Sequence, residues 1–157
     1  MKIVKKDYFH YLNFFDSGDI TKSKEIHAIK QSSDRNKFWV SFNRNELDLF
    51  DSKNNSYRQF TSGSSGLQLQ NDKINFAYQD IKGNLWIIYS RIGIYVVPSK
   101  SALSLVEGKS EGTIKPIDIN DLFSSDPRVN SYITNFFEDS KERLFSLFKF
   151  FRFRRYY

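Results

Sequence analysis

The sequence contains no cysteine and only two histidines, His10 and His27. The absence of cysteine excludes a disulfide scaffold, a thiolate zinc site and a cysteine nucleophile. Neither histidine has a clustered acidic partner or a context suited to phosphotransfer, so we interpret both as packed or exposed side chains. We therefore expect no metal and no cofactor in this chain.

Long apolar runs are also missing, since none approaches the roughly 20 residues that a membrane helix requires. The basic residues 1–6 are followed by an aromatic stretch, but polar groups interrupt it and no small-residue cleavage site follows. As written, the chain is expected to carry no export signal and no membrane segment. If it were expressed alone, we would expect it in the cytoplasm.

Positive charge is concentrated at one end of the chain. The formal net charge is +6, and residues 141–157 supply +5 of it, with six basic residues and one acid. Arginine and aromatic side chains alternate there, a composition that could bind single-stranded nucleic acid or an anionic membrane surface. We favour a truncated gene or a shifted reading frame as the origin of this segment, and we expect no nucleic-acid partner.

Aromatic residues make up 17% of the chain, which supplies ample apolar surface for a core. Ile74, Phe76 and Tyr78 alternate with polar or small residues, the period of a half-buried strand. Two short apolar runs rich in aromatic and β-branched residues follow at 85–89 and 92–97. No long stretch has the spacing of an amphipathic helix, so the sequence predicts an all-β fold.

An internal repeat is the strongest signal in the sequence. Segments beginning at Ile74 and Ile133 both place Asp six residues later and a Leu-aromatic pair at eleven and twelve, and a looser copy begins at Ile26. The aromatic members recur at intervals of 47 and 59 residues, which is typical of propeller blades. The repeat anchors are Trp39, Asp80, Gly83, Leu85, Trp86, Gly93, Asp139, Leu144 and Phe145.

These repeats predict a partial β-propeller of antiparallel four-stranded blades, with about two complete blades and partial ones beside them. Residues 1–25 would hold the last strand of a preceding blade, at 8–15, and a linker. Residues 26–73 would form one blade, and 74–131 a second with an insertion within 107–131. Residues 132–157 would form a truncated blade with the basic aromatic tail.

The segment from Asp80 to Ile87, followed by Gly93-Ile94-Tyr95, resembles the two-component-regulator propeller repeat. Ile88 and Tyr89 stand where that repeat usually has Gly-Thr. The resemblance implies the extracytoplasmic sensor region of hybrid two-component regulators of the Bacteroidetes type. In that family, tandem propellers sense carbohydrate breakdown products and a kinase and a DNA-binding module follow the membrane helix.

The resemblance implies a non-enzymatic, ligand-sensing fragment of a sensor histidine kinase, periplasmic in the parent protein. The implied partners are an oligosaccharide-type ligand, neighbouring blades and a second copy of the chain. The sequence does not identify the ligand-binding residues. One alternative is a fragment of a propeller hydrolase or lyase, which would need an asymmetric cluster of carboxylates or histidines. The other alternative is a protein that binds nucleic acid or a membrane surface through its basic tail.

Several side chains have a chemical interpretation beside a structural one. Trp39 and Trp86 could stack on a sugar, but packing between blades is favoured. Asp80 and Asp139 could be the paired carboxylates of a glycosidase, although their identical place in a repeated turn favours capping. The Ser-x-x-Lys spacing at 146–149 lacks the motifs that accompany it in acyl enzymes. We therefore expect no catalytic residue.

Overall fold

The computed structural model describes residues 25–42, 44–63, 66–109, 112–122, 133–139, 141–148 and 153–155. These residues form three antiparallel sheets that follow one another along the chain. The first contains β1 (Ile26–Gln31), β2 (Lys37–Phe42), β3 (Leu47–Asp51) and β4 (Ser56–Phe60). The second contains β5 (Ile74–Gln79), β6 (Leu85–Tyr89), β7 (Ile94–Val97) and β8 (Ile117–Asp118). The third contains β9 (Ile133–Glu138), β10 (Leu144–Phe148) and β11 (Phe153–Arg155).

Within each sheet the strands pair in chain order, and the first strand lies at one edge. The three first strands are also neighbours in space, because β5 contacts both β1 and β9. Sheets that share one inner edge and pack face against face are the blades of a propeller. The predicted all-β partial β-propeller is confirmed, with two four-stranded blades and three described strands of another.

Trp39, Trp86 and Phe145 occupy the same position in successive blades. Each lies on the second strand, opposite the next-to-last residue of the first strand. The repeat read from the sequence is therefore also a structural repeat. The first blade has one more residue between its first isoleucine and its tryptophan than the second blade, and this extra residue falls in the turn between β1 and β2.

Trp39 lies at the centre of the core between the first two blades and is 1% exposed. It belongs to one buried cluster with Leu49 and Phe60 of its own blade and Ile87 of the second blade, and its ring lies 6.1 Å from that of Phe60 between centroids. Its Nε1 donates a hydrogen bond of 3.3 Å to Oε1 of Gln79 in the second blade. One side chain thus supplies both apolar contact and a polar link between blades.

Trp86 has the equivalent role between the second and third blades, with less burial. Its ring packs edge to face against that of Phe136, with 5.6 Å between ring centroids. The ring of Phe76 packs against Phe136 in the same way, at 5.7 Å. The indole Nε1 donates to Oδ2 of Asp80 at 2.8 Å. This second interface therefore repeats the aromatic packing of the first, with the polar link made inside the blade.

The sequence indicated no helix, and this prediction is wrong at one place. Helix α1 (Ser99–Glu107) follows β7, begins after Pro98 and ends at Gly108, whose φ is +76°. Its apolar residues Ala102, Leu105 and Val106 are buried in the core between the first two blades. Nine residues give too few turns for a helical period to stand out in the sequence.

Cations of the first blade hold the end of this helix. Nη1 of Arg58 donates to the carbonyl oxygen of Leu105 at 2.6 Å, and Nζ of Lys37 donates to that of Val106 at 2.7 Å. Carbonyls in the last turn of a helix lack intrahelical donors, so positive groups stabilise them. In the described part of the chain, no helix is long and apolar enough to cross a membrane.

Position 93 needs a glycine because the segment that follows β8 packs closely against it. Asn120 lies in a short 3₁₀ turn, where its Oδ1 accepts from the N–H of Ile94 at 3.0 Å and its Nδ2 donates to the carbonyl of Ile92 at 2.9 Å. A Cβ on residue 93 would collide with that side chain, and φ at 93 is +83°. Only glycine fits this position without strain.

Two predictions concern the ends of the chain. The predicted strand at 8–15 and the linker after it lie outside the described residues. In the blade predicted at 132–157, part of the basic aromatic tail forms a third described strand, because β11 pairs antiparallel with β10.

Replacing Trp39 by alanine should lower the free energy of unfolding by about 3–5 kcal/mol, because it opens a cavity in a buried interface. Trp86→Ala should cost less, since that side chain is only partly buried. Urea denaturation of both variants measures the difference. Leu103→Ala is the control, because Leu103 is 48% exposed, and it should change stability by about 0.5 kcal/mol or less. A larger loss at Trp86 than at Trp39 would contradict the packing described above.

Candidate functional site

Asp80 and Asp139 hold the same turn in successive blades. Oδ1 of Asp80 accepts from the backbone N–H of Asn84 at 2.7 Å, and Oδ1 of Asp139 accepts from that of Arg143 at 3.1 Å. The Arg143 guanidinium also hydrogen-bonds to Asp139 and lowers the pKa of that carboxyl to about 2. Both carboxylates are therefore bound to their own turns.

The other turn anchors have structural positions as well. Gly83 is left-handed, with φ at +87°, and Glu142 takes the same place in the third blade with φ at +58°. Leu85 is fully buried, and Leu144 is partly buried against the core between the second and third blades. These residues shape the hairpins that carry the aromatic anchors.

A repeated hydrogen bond joins neighbouring blades at the end of the first strand. Oε1 of Gln79 accepts from the N–H of Ser33 at 2.9 Å, and Oε2 of Glu138 accepts from the N–H of Ile81 at 2.7 Å. In each case a side chain of one blade binds the turn of the preceding blade. Because the acceptors end β5 and β9, this contact fixes how closely the inner strands approach.

Each inner strand has a bulge after its first residue, which is an isoleucine in every copy. The extra residue is His27 in β1, Asn75 in β5 and Thr134 in β9. A bulge interrupts the strict alternation of side chains and redirects the local backbone. Three blades that meet at their inner edges therefore each redirect a polar residue there.

A cleft of about 640 Å³ lies between the three inner strands. We call it the inner cleft, and it is lined by His27, Ala28, Ile29, Lys30, Lys73, Asn75, Phe76, Ser90, Ile133, Thr134 and Asn135. Its volume is within the range of small-molecule binding sites, which also combine apolar walls with a few polar groups. All three bulge residues belong to the lining.

Polar contacts across the inner cleft connect the blades. Nζ of Lys30 donates to Oδ1 of Asn135 at 2.6 Å, which links the first blade to the third. Nδ1 of His27 lies 2.5 Å from the carbonyl oxygen of Asn75. Since a carbonyl can only accept, Nδ1 carries a proton and donates this bond. The cleft wall is thus assembled from three blades and depends on their relative positions.

The charged side chains that line the inner cleft are two lysines, Lys30 and Lys73. Burial lowers the pKa of Lys30 from its ordinary value, because it disfavours the ammonium form. Among the described residues, no carboxylate lines the cleft. The nearby Asp72 is engaged by Arg91, whose Nε and backbone N–H both donate to it at 2.8 Å. Burial opposes ionisation of Asp72, but these bonds and the charge of Arg91 outweigh it and lower its pKa.

None of the nine repeat anchors lines the inner cleft, because they lie in the turns and between the blades. His27 was interpreted as packed or exposed, and it is an exposed residue of this cleft; His10 lies outside the described residues. One signal was present in the sequence. The residue after the first isoleucine is polar in every copy, yet differs each time. Within the described residues, no group of three potential metal-ligating side chains occurs.

The architecture and the inner cleft together define a partial β-propeller with a polar site at its inner edge. No family model and no curated protein matches the chain. It is similar to the extracellular domain of BT4673 from B. thetaiotaomicron, described as a one-component system, with a TM-score of 0.53 and 16% identity over 78% of this chain. A second structure of that domain, described as a hybrid two-component system, has a TM-score of 0.50 and 14% identity over 80% of this chain.

The chain spans 16% and 14% of the length of those two structures. At this identity the likeness shows the fold.

Replacing Asp72 by asparagine should make the free energy of unfolding depend less on pH in the acidic range. The folded pKa of Asp72 lies below its ordinary value of 3.8, so its contribution is complete above that pH and is lost as the pH falls through the folded pKa. We expect the variant to lose about 2 kcal/mol at pH 7 and progressively less as the pH falls through the folded pKa, measured by urea denaturation across pH. The control Asp121→Asn alters an exposed carboxyl. Equal slopes for Asp72→Asn and wild type would contradict the assignment.

Proposed function

We propose that this chain is a non-enzymatic, ligand-sensing part of the extracytoplasmic sensor region of a hybrid two-component regulator. The observation that carries the proposal is the inner cleft, a site built by three blades at once. The likeness to extracellular domains of bacterial signalling systems supports it. In the parent protein this region would lie in the periplasm.

The chemistry of the cleft suits a sugar. Asn75 and Asn135 present side-chain amides, which can donate to and accept from hydroxyl groups, and Thr134 adds a hydroxyl. Ile29 is 46% exposed and offers an apolar surface to the carbon face of a ring. A mixture of apolar wall and hydrogen-bonding groups is what small-molecule sites generally use for orientation and specificity.

A ligand in this position would report on the arrangement of the blades. It would contact β1, β5 and β9 together, so it would bind most tightly to one spacing of the three. A ligand shifts an equilibrium only by its different affinity for the two states. In the parent protein, such a shift in blade packing would bias a kinase dimer across the membrane.

The arrangement of the carboxylates supports a non-enzymatic role over a propeller hydrolase or lyase. Hydrolysis of a glycosidic bond commonly needs two carboxyl groups facing one substrate. Asp80 and Asp139 are bound within their own turns, and the lining residues described for the inner cleft include no acid. The cleft therefore offers binding groups without the acid–base pair that this chemistry requires.

We expect the full chain to bind oligosaccharides on a glycan array, with affinity then measured by isothermal titration calorimetry. Asn135→Ala should weaken binding about tenfold, because it removes hydrogen bonds to the ligand. Gln68→Ala is the matched control, since it removes an exposed carboxamide outside the cleft. An array without bound oligosaccharide would contradict the proposal, as would an affinity that Asn135→Ala leaves unchanged.

A further inference from the structure

The charged side chains described in the lining of the inner cleft all carry positive charge. Lys30 and Lys73 both belong to its lining, which contains no carboxylate among the described residues. The imbalance is local, because residues 1–140 of the chain carry a net charge of only +1. A site that concentrates cations in a nearly neutral body attracts anions to that place.

The two lysines lack the partner that partly buried ammonium groups usually have. Lys30 donates to a neutral amide, that of Asn135, at 2.6 Å. In the described part of the chain, the Lys73 ammonium forms no ion pair, and Asp72 beside it is occupied by Arg91. An ammonium partly withdrawn from water is stabilised by an anion, and charge-assisted hydrogen bonds are stronger than neutral ones.

The lining residues also favour a sugar over a nucleotide as the ligand. Single-stranded nucleic acids and nucleotides are commonly held by stacking of the base on an exposed aromatic ring. Phe76, the aromatic residue of the cleft lining, is 3% exposed and its ring packs against Phe136. The accessible apolar surface comes instead from Ile29. The cleft therefore combines cations and amides without an exposed stacking platform.

We propose that the inner cleft binds an acidic sugar, one carrying carboxylate or sulfate groups, whose anionic oxygens contact Lys30 and Lys73. The inference rests on the proposed sensing function and specifies its ligand class. The neutral amides of the cleft would hold the hydroxyl groups of the same sugar. Neutral oligosaccharides would bind more weakly, because they leave both ammonium groups without an anion.

The test uses the full chain and a panel of uronate-containing and sulfated oligosaccharides, each paired with its carboxyl-reduced or desulfated form. Calorimetry should show an acidic member bound at least about tenfold more tightly than its neutral partner, and more weakly as salt is raised. Lys73→Met should remove most of that preference. It breaks no side-chain contact described here, so the fold should be kept.

Lys100→Met is the matched control, because it removes one exposed lysine outside the cleft and should leave the preference intact. Equal loss in both variants would overturn the assignment to the cleft. Binding of only the neutral forms would overturn the acidic class while the sensing function stands, and binding of neither form would overturn both. Inorganic sulfate bound as tightly as a sulfated sugar would overturn the sugar part of the proposal.

Discussion

Face-to-face packing of adjacent blades is the interaction on which the rest of this structure depends. A single four-stranded sheet with two apolar faces is not stable in water until both faces are covered. Trp39 fills the first interface and Trp86 with Phe136 fills the second. Burying a large aromatic ring removes about 150–250 Å² from water, so one residue per blade contributes several kcal/mol. The repeat of the sequence is therefore a repeat of interfaces.

Once the faces are packed, the position of the inner strands is no longer free. Gln79 and Glu138 each bind the turn of the preceding blade, and these bonds set the spacing of β1, β5 and β9. The bulges in those strands then bring their polar residues around one cleft. Its walls come from three blades, so under the proposed function a ligand in the cleft would be coupled to the arrangement of the blades through the same contacts.

Charge gives the cleft its chemical character. The nearby Asp72 is bound by Arg91, while Lys30 and Lys73 belong to the lining. The anchors of the repeat have no part in this, because turn residues such as Asp80 satisfy their own backbone. The residues that pack the blades and the residues that line the cleft are therefore different residues of each blade. This division allows the polar bulge residues to differ between blades while the packing residues recur.

The sequence by itself determined the all-β class, the repeat and its aromatic anchors, because strand alternation and turn chemistry are local properties of the chain. It did not show α1, whose nine residues are helical because Leu105 and Val106 pack between blades and Arg58 and Lys37 bind the last carbonyls. Nor did it identify the inner cleft, since its residues are far apart in sequence and meet only when three blades pack. Only the tertiary structure decided the site, because the approach of the three inner strands follows from contacts between blades.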